Sequence, residues 1–91
     1  MSEPAQRWAV IVDRQPQRAL RRLPRDLLER IDLAILSLAA DPRPTGCDKQ
    51  AGHDNLYWVR VGEWRMSYAV EDDRLIVLVL EVAPRGRAYR F

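Results

Sequence analysis

Short apolar runs alternate with polar breaks along this chain, and the spacing of the apolar positions changes from run to run. The first run, "WAVIV" from Trp8 to Val12, is β-branched and has the length of a buried strand. Asp13 then caps a short helix carrying "PQRALRRL", which sets Ala19, Leu20 and Leu23 on its inner side. Pro24 breaks that helix and suits the first turn of the next. From Asp26 to Ala40, the residues Leu27, Ile31, Ala34, Ile35 and Leu38 recur at helical spacing and form one apolar stripe. Asp41-Pro42 ends this second helix, because a residue before proline disfavours the helical conformation. Residues 42–55 read as a loop by composition, with a brief extended piece around Lys49-Gln50.

The period then drops to two. "LYWVRVGEWRMSY", residues 56–68, is a tight hairpin whose turn is Gly62-Glu63. Glycine at the first central position suits a type II′ turn, which needs a positive φ there. Pairing follows: 61 with 64, 60 with 65, 59 with 66, 58 with 67 and 57 with 68. Alternation puts Tyr57, Val59, Val61, Trp64, Met66 and Tyr68 on a core face, and Trp58, Arg60, Arg65 and Ser67 on the other. The run Arg74 to Ala83 is almost continuously apolar, the pattern of a central strand covered on both sides. Glu71 and Arg74 are expected to face each other across a turn at Asp72-Asp73. The first strand pairs beside the last, since alone it would leave its backbone groups unsatisfied. The expected fold is α+β, in the order β-α-α-β-β-β. A small, mostly antiparallel sheet carries the N-terminal helical hairpin on one face, and residues 1–91 form a single domain.

Composition narrows the class. Of the 91 residues, 47% are apolar and 31% charged, the balance of a folded protein and not a disordered one. No apolar run approaches the roughly 20 residues that span a bilayer. The opening "MSEPAQRW" has no apolar signal segment, so a cytoplasmic location is expected, with no membrane partner. The single Cys47 forms no internal disulfide and reads as a loop spectator in a reducing compartment. No Cys/His cluster or glycine-rich phosphate loop is present, so neither metal nor cofactor is expected, and Glu71-Asp72-Asp73 reads as a solvated turn. The net charge of +2 is small, but 14 of the 15 basic residues are arginine, with Lys49 the exception. A GC-rich genome would also favour arginine codons, so position carries the argument.

Position singles out Arg60 and Arg65, which face each other across the hairpin at a repulsive cost of roughly 0.2–1 kcal/mol. An anion seated between them would offset that cost; alternatively each splays outward to a carboxylate, Glu63 or Glu81. Arg85, Arg87 and Arg90 follow the central strand with Tyr89 among them, and can reach the same open face. Arginines interleaved with aromatics suit single-stranded nucleic acid, the cations on phosphate and the rings on bases. The only histidine, His53, is either an acid–base group near the hairpin or an exposed loop residue.

Three segments, "ALRRLPRDLLERIDLAILSLAADPRPTG", "YWVRVGEWRMSYAVEDD" and "VLEVAPRGRAYR", together resemble the RelE branch of the RelE/ParE superfamily of bacterial toxin–antitoxin systems. The resemblance runs from Trp8 to Arg90 and is most specific in the hairpin and the closing "R-x-x-x-Y-R". It implies a ribosome-dependent endoribonuclease that cleaves messenger RNA without a metal, by attack of the ribose 2′-hydroxyl on the adjacent phosphate. It implies Arg60, Arg65, Arg85 and Tyr89 as catalytic residues; Lys49, Trp58, Arg87 and Arg90 are read beside them as RNA-binding, from charge and aromatic character. The partners implied are a cognate antitoxin, the ribosome and mRNA, with operator DNA reached only through the antitoxin complex. The sequence departs from the family pattern at Trp58, where a basic residue is common, and at Pro84, where a histidine is common. Arginine, with a pKa above 12, is a poor general base, which leaves Lys49, His53, Glu63, Glu81 or Tyr89 for proton transfer. Two other readings stay open: a non-catalytic ParE-like inhibitor of DNA gyrase, and a catalytically impaired domain kept for antitoxin or operator binding.

Overall fold

A computed structural model describes residues 8–84. Strand β1 (Ala9–Val12) leads into helices α1 (Arg14–Leu20) and α2 (Arg25–Ala40), then β2 (Asp48–Lys49), β3 (Leu56–Val61), β4 (Trp64–Glu71) and β5 (Ile76–Pro84). Five strands form one sheet in the order β1-β5-β4-β3-β2. β1 runs parallel to β5, and every other pair is antiparallel. The α+β expectation holds, with a fifth, two-residue strand added at the edge beside β3.

Local chemistry sets the helix ends. The Asp13 carboxylate accepts from the Arg14 N–H at 2.8 Å. Pro16 falls in the first turn of α1, where its missing N–H would have no intrahelical partner, and its ring is buried. Pro24 sits at the N-cap of α2, and Asp41 leaves the helix in an extended conformation at φ −149°. The apolar stripe packs as its spacing requires: Ile31 and Leu38 are buried, and Leu27, Ala34 and Ile35 pack beside them. They meet Val61, Met66, Tyr68, Val70, Val77, Val79 and Val82 on one face of the sheet.

The hairpin register is the predicted one, from Val61↔Trp64 through Arg60↔Arg65 to Tyr57↔Tyr68. The second turn differs from expectation. Residues Asp72–Arg74 form a 3-10 turn that ends on Leu75 at φ 54°, and Glu71 pairs with Ile76 instead of Arg74. Two-residue hairpins need positive φ, which Asp-Asp does not readily supply, so the connection lengthens. Arg74 still reaches Glu71 as an i,i+3 ion pair at 3.5 Å.

The apolar run of β5 is explained by a bulge. Ser67 pairs with Glu81 but Tyr68 pairs with Val79, so Leu80 has no opposite residue. The extra residue resets the alternation, keeping Val77, Val79 and Val82 on the core side while Glu81 and Ala83 face away. β1 pairs with β5 only as far as Val12↔Val79. Beyond that point the Gln15 side chain takes over the edge: its amide donates to the Val82 carbonyl at 3.2 Å and accepts from the Val82 N–H at 3.0 Å. Among the described residues no helix is long and apolar enough to cross a membrane.

Candidate nucleic-acid interface

The face of the sheet turned away from the helices is built by the hairpin. Gly62 adopts φ 61° and Glu63 does not share the positive φ, which fits a type II′ turn. Val61 and Trp64 close that turn as a hydrogen-bonded pair, so Arg60 and Arg65 form the next, non-hydrogen-bonded pair. Cα atoms in such pairs lie only about 4.5 Å apart. The two like charges therefore start from the closest backbone separation a sheet offers.

Their side chains resolve the conflict by diverging. Arg60 is exposed, whereas Arg65 is 8% exposed. The Arg65 guanidinium lies over the indole of Trp58, with Cζ 3.9 Å from the ring centroid. Trp58 pairs with Ser67, which makes it the diagonal neighbour of Arg65, a separation that aromatic and long side chains span. A cation over an indole gains about 0.5–2 kcal/mol, most when desolvated, enough to outweigh the cross-strand repulsion. Ser67, Glu81 and Ala83 complete this end of the face by register. The far end is apolar: Ile11, Leu78, Ala69 and Leu56 form a cross-strand row, with Ile11 49% exposed.

Trp58, Arg60 and Arg65 are thus brought together. Lys49 is not. It pairs with Tyr57, and its neighbour Asp48 is the residue opposite Trp58. Alternation then assigns Lys49 to the helix side of the sheet, a one-residue difference that exchanges the faces. His53 is an exposed loop residue whose N–H donates to the Gln50 carbonyl at 3.2 Å. Arg85, Arg87, Tyr89 and Arg90 lie outside the described residues. Among the described residues, no three His, Cys, Asp or Glu side chains converge to hold a metal.

A second cluster was not foreseen. Arg43 donates to the Asp72 carboxylate at 2.7 Å and to the Tyr57 hydroxyl at 3.1 Å, and its guanidinium stands 5.3 Å from the Tyr57 ring centroid. Those two hydrogen bonds, Asp72 first, raise the Arg43 pKa above its ordinary value. Tyr57 stacks on Tyr68 at 6.0 Å, and the Tyr68 hydroxyl donates to the Pro42 carbonyl at 2.8 Å. Burial pushes the Tyr68 phenol above its usual range. The cluster ties the loop after α2 to β3, β4 and the Asp72–Arg74 turn, away from the arginine pair. A cleft of about 740 Å³ opens between α1 and the end of β5, lined by Gln15, Arg18, Arg22, Trp64, Glu81 and Pro84 among others.

Known proteins match this architecture. The family described as the ParE toxin of type II toxin-antitoxin system, parDE, matches residues 7–89. No curated protein matches the chain in sequence. Among solved structures, the archaeal RelE–RelB complex from Pyrococcus horikoshii OT3 is 29% identical with a TM-score of 0.79, covering 89% of this chain and 98% of that one. The toxin–antitoxin complex RelBE2 from Mycobacterium tuberculosis is 20% identical, with a TM-score of 0.76 over 93% of this chain and 99% of that one. The isolated E. coli RelE toxin is 21% identical, with a TM-score of 0.75 over 89% and 87%. The last two share the fold.

Proposed function

The chain belongs to the family of ParE toxins of type II toxin–antitoxin systems, within the RelE/ParE superfamily, and from that premise we propose that it is a cytoplasmic, ribosome-dependent mRNA endonuclease. The observation that carries this reading is the arginine pair: one guanidinium exposed, the other buried and fixed over an indole, both on the sheet face turned away from the helices. In metal-independent RNA cleavage the 2′-hydroxyl oxygen attacks the adjacent phosphorus and loses its proton to a base. The bond to the 5′-oxygen breaks, that oxygen gains a proton, and a cyclic phosphate remains. Negative charge grows on the phosphoryl oxygens as the attack proceeds. Arg60 meets the incoming phosphate, and Arg65, already desolvated and oriented, stabilises the charge that develops. Arg85 and Tyr89 are assigned to the same phosphate and to base stacking by the family pattern.

The same face accounts for control. Five of the similar structures are complexes with an antitoxin or an antitoxin peptide, and a cognate antitoxin is proposed as this chain's partner. Acidic side chains of its segment would cover Arg60 and Arg65, and apolar ones would cover the row from Ile11 to Leu56. Operator DNA is then reached only through that complex.

Single-turnover cleavage of ribosome-bound messenger tests the proposal. Arg65→Ala is expected to slow cleavage by about 10²–10³-fold, the usual effect of losing one preorganised donor, while weakening binding far less. Equal losses in rate and affinity would reduce the pair to a binding surface. The family name and the replacement of a basic residue by Trp58 support a second reading, a non-catalytic gyrase inhibitor. That reading gains if Arg60→Ala/Arg65→Ala leaves toxicity intact and the purified chain blocks supercoiling.

A further inference from the structure

We propose that Trp58 is a positioning residue for Arg65: the indole fixes the plane and direction of a guanidinium that its cross-strand neighbour would otherwise drive away. What Arg65 does once positioned rests on the nuclease reading above; how it is held does not.

Three observations lead here. The ladder sets Arg60 against Arg65 in a non-hydrogen-bonded pair, so an unrestrained Arg65 would turn outward to solvent. Instead its Cζ sits 3.9 Å over the indole centroid, and the residue is 8% exposed. Finally, β3 lies inside the sheet at Trp58. Its backbone is flanked by Ser67 of β4 on one side and Asp48 of β2 on the other. The two-residue strand β2 thus removes Trp58 from an edge and gives the stacking surface a fixed base.

The physical consequence is preorganisation. An arginine side chain carries about 2 kcal/mol of rotamer entropy, and a site that orders it only when substrate arrives loses that much of its stabilisation. Stacking orders it beforehand. A lysine in place of Trp58 would add a third positive charge beside the pair and no flat surface to hold it. Trp58 therefore acts through Arg65, and direct contact with RNA is not required of it.

The test uses the full chain and four variants: Trp58→Ala, Trp58→Phe, Arg65→Ala and the Trp58→Ala/Arg65→Ala double substitution. In NMR spectra the Arg65 Hε and Hδ resonances should be shifted upfield by the indole ring. That shift should vanish in Trp58→Ala and persist in part in Trp58→Phe. An unshifted Arg65 in the native chain overturns the proposal whatever the protein's activity. In single-turnover cleavage, Trp58→Ala should lower the rate at saturating ribosomes by roughly three- to thirty-fold, the range of a cation–π contact. Ribosome affinity should change little, and Trp58→Phe should recover most of the rate. In the Arg65→Ala background, Trp58→Ala should cost nothing further. An undiminished loss in that background, or a loss of affinity equal to the loss of rate, would overturn the proposal and make Trp58 an RNA contact. Absence of cleavage by the native chain would sink the nuclease reading alone, and full cleavage by Arg65→Ala would remove only the role of Arg65 in it; in either case the resonance shift decides the positioning. Thermal unfolding of each variant separates these effects from loss of the fold.

Discussion

Tyr68 sits at the centre of the core at 0% exposure, and its one polar atom has a partner, the Pro42 carbonyl at 2.8 Å. Removing the hydroxyl leaves that buried carbonyl unpaired, so Tyr68→Phe should lower stability by about 1–3 kcal/mol in urea unfolding. The raised phenol pKa has a definite sign. The folded state retains the proton that the unfolded chain releases near pH 10. The stability linked to Tyr68 is therefore fully present below about pH 10 and is lost as pH rises through the folded-state value. Unfolding free energy should fall more steeply above pH 10 in the native chain than in Tyr68→Phe. Residue faces such as this one were legible in the sequence, because a strand's period of two leaves Tyr57, Met66 and Tyr68 no choice once Gly62 sets the turn. The Trp58–Arg65 stack was not. Alternation puts both residues on one face, but their contact depends on how diagonal side chains lean. Arg43 and Asp72 meet 29 positions apart between a loop and a turn, where no periodicity links them.

Elements show the same division. Helix α2 and the hairpin were readable from apolar spacing and punctuation, and their packing follows. Strand β2 was only half readable: an extended piece was expected around Lys49-Gln50, and it forms at Asp48–Lys49. Its register against β3 was not readable, and the pairing of Lys49 with Tyr57 is what puts Lys49 on the helix side. The role of Gln15 was invisible, because an amide on a helix gives no sign that it will serve as the edge partner of a strand. Gln15→Leu should leave the Val82 N–H and carbonyl unpaired, destabilise the fold by about 1–3 kcal/mol, and speed hydrogen exchange at the Val82 amide. Gly62 is required by its φ of 61°. A Cβ there would stand 3.2 Å from the flexible Arg30 Nη1, which can move aside. The backbone conformation cannot, so Gly62→Ala should cost about 1–2 kcal/mol in chemical denaturation.

At the scale of the whole molecule, β5 is the strand on which everything converges. It pairs with β1 on one side and β4 on the other, supplies Val77, Val79 and Val82 to the core, and places Glu81 and Ala83 beside the arginine pair. It also leaves the ribosome after every other described strand. Until it does, β1 lacks its partner, the apolar stripe of α2 lacks Val77, Val79 and Val82 from its floor, and Gln15 lacks Val82 to bond. Such non-local pairing delays folding, because loop closure must precede the contacts that reward it. Ribosome-held chains ending before Ile76 should be digested quickly by protease, and chains that have cleared Pro84 should resist it. The order of synthesis therefore acts as a safety catch: the sheet face that carries Arg60 and Arg65 is not assembled until the last described strand is out.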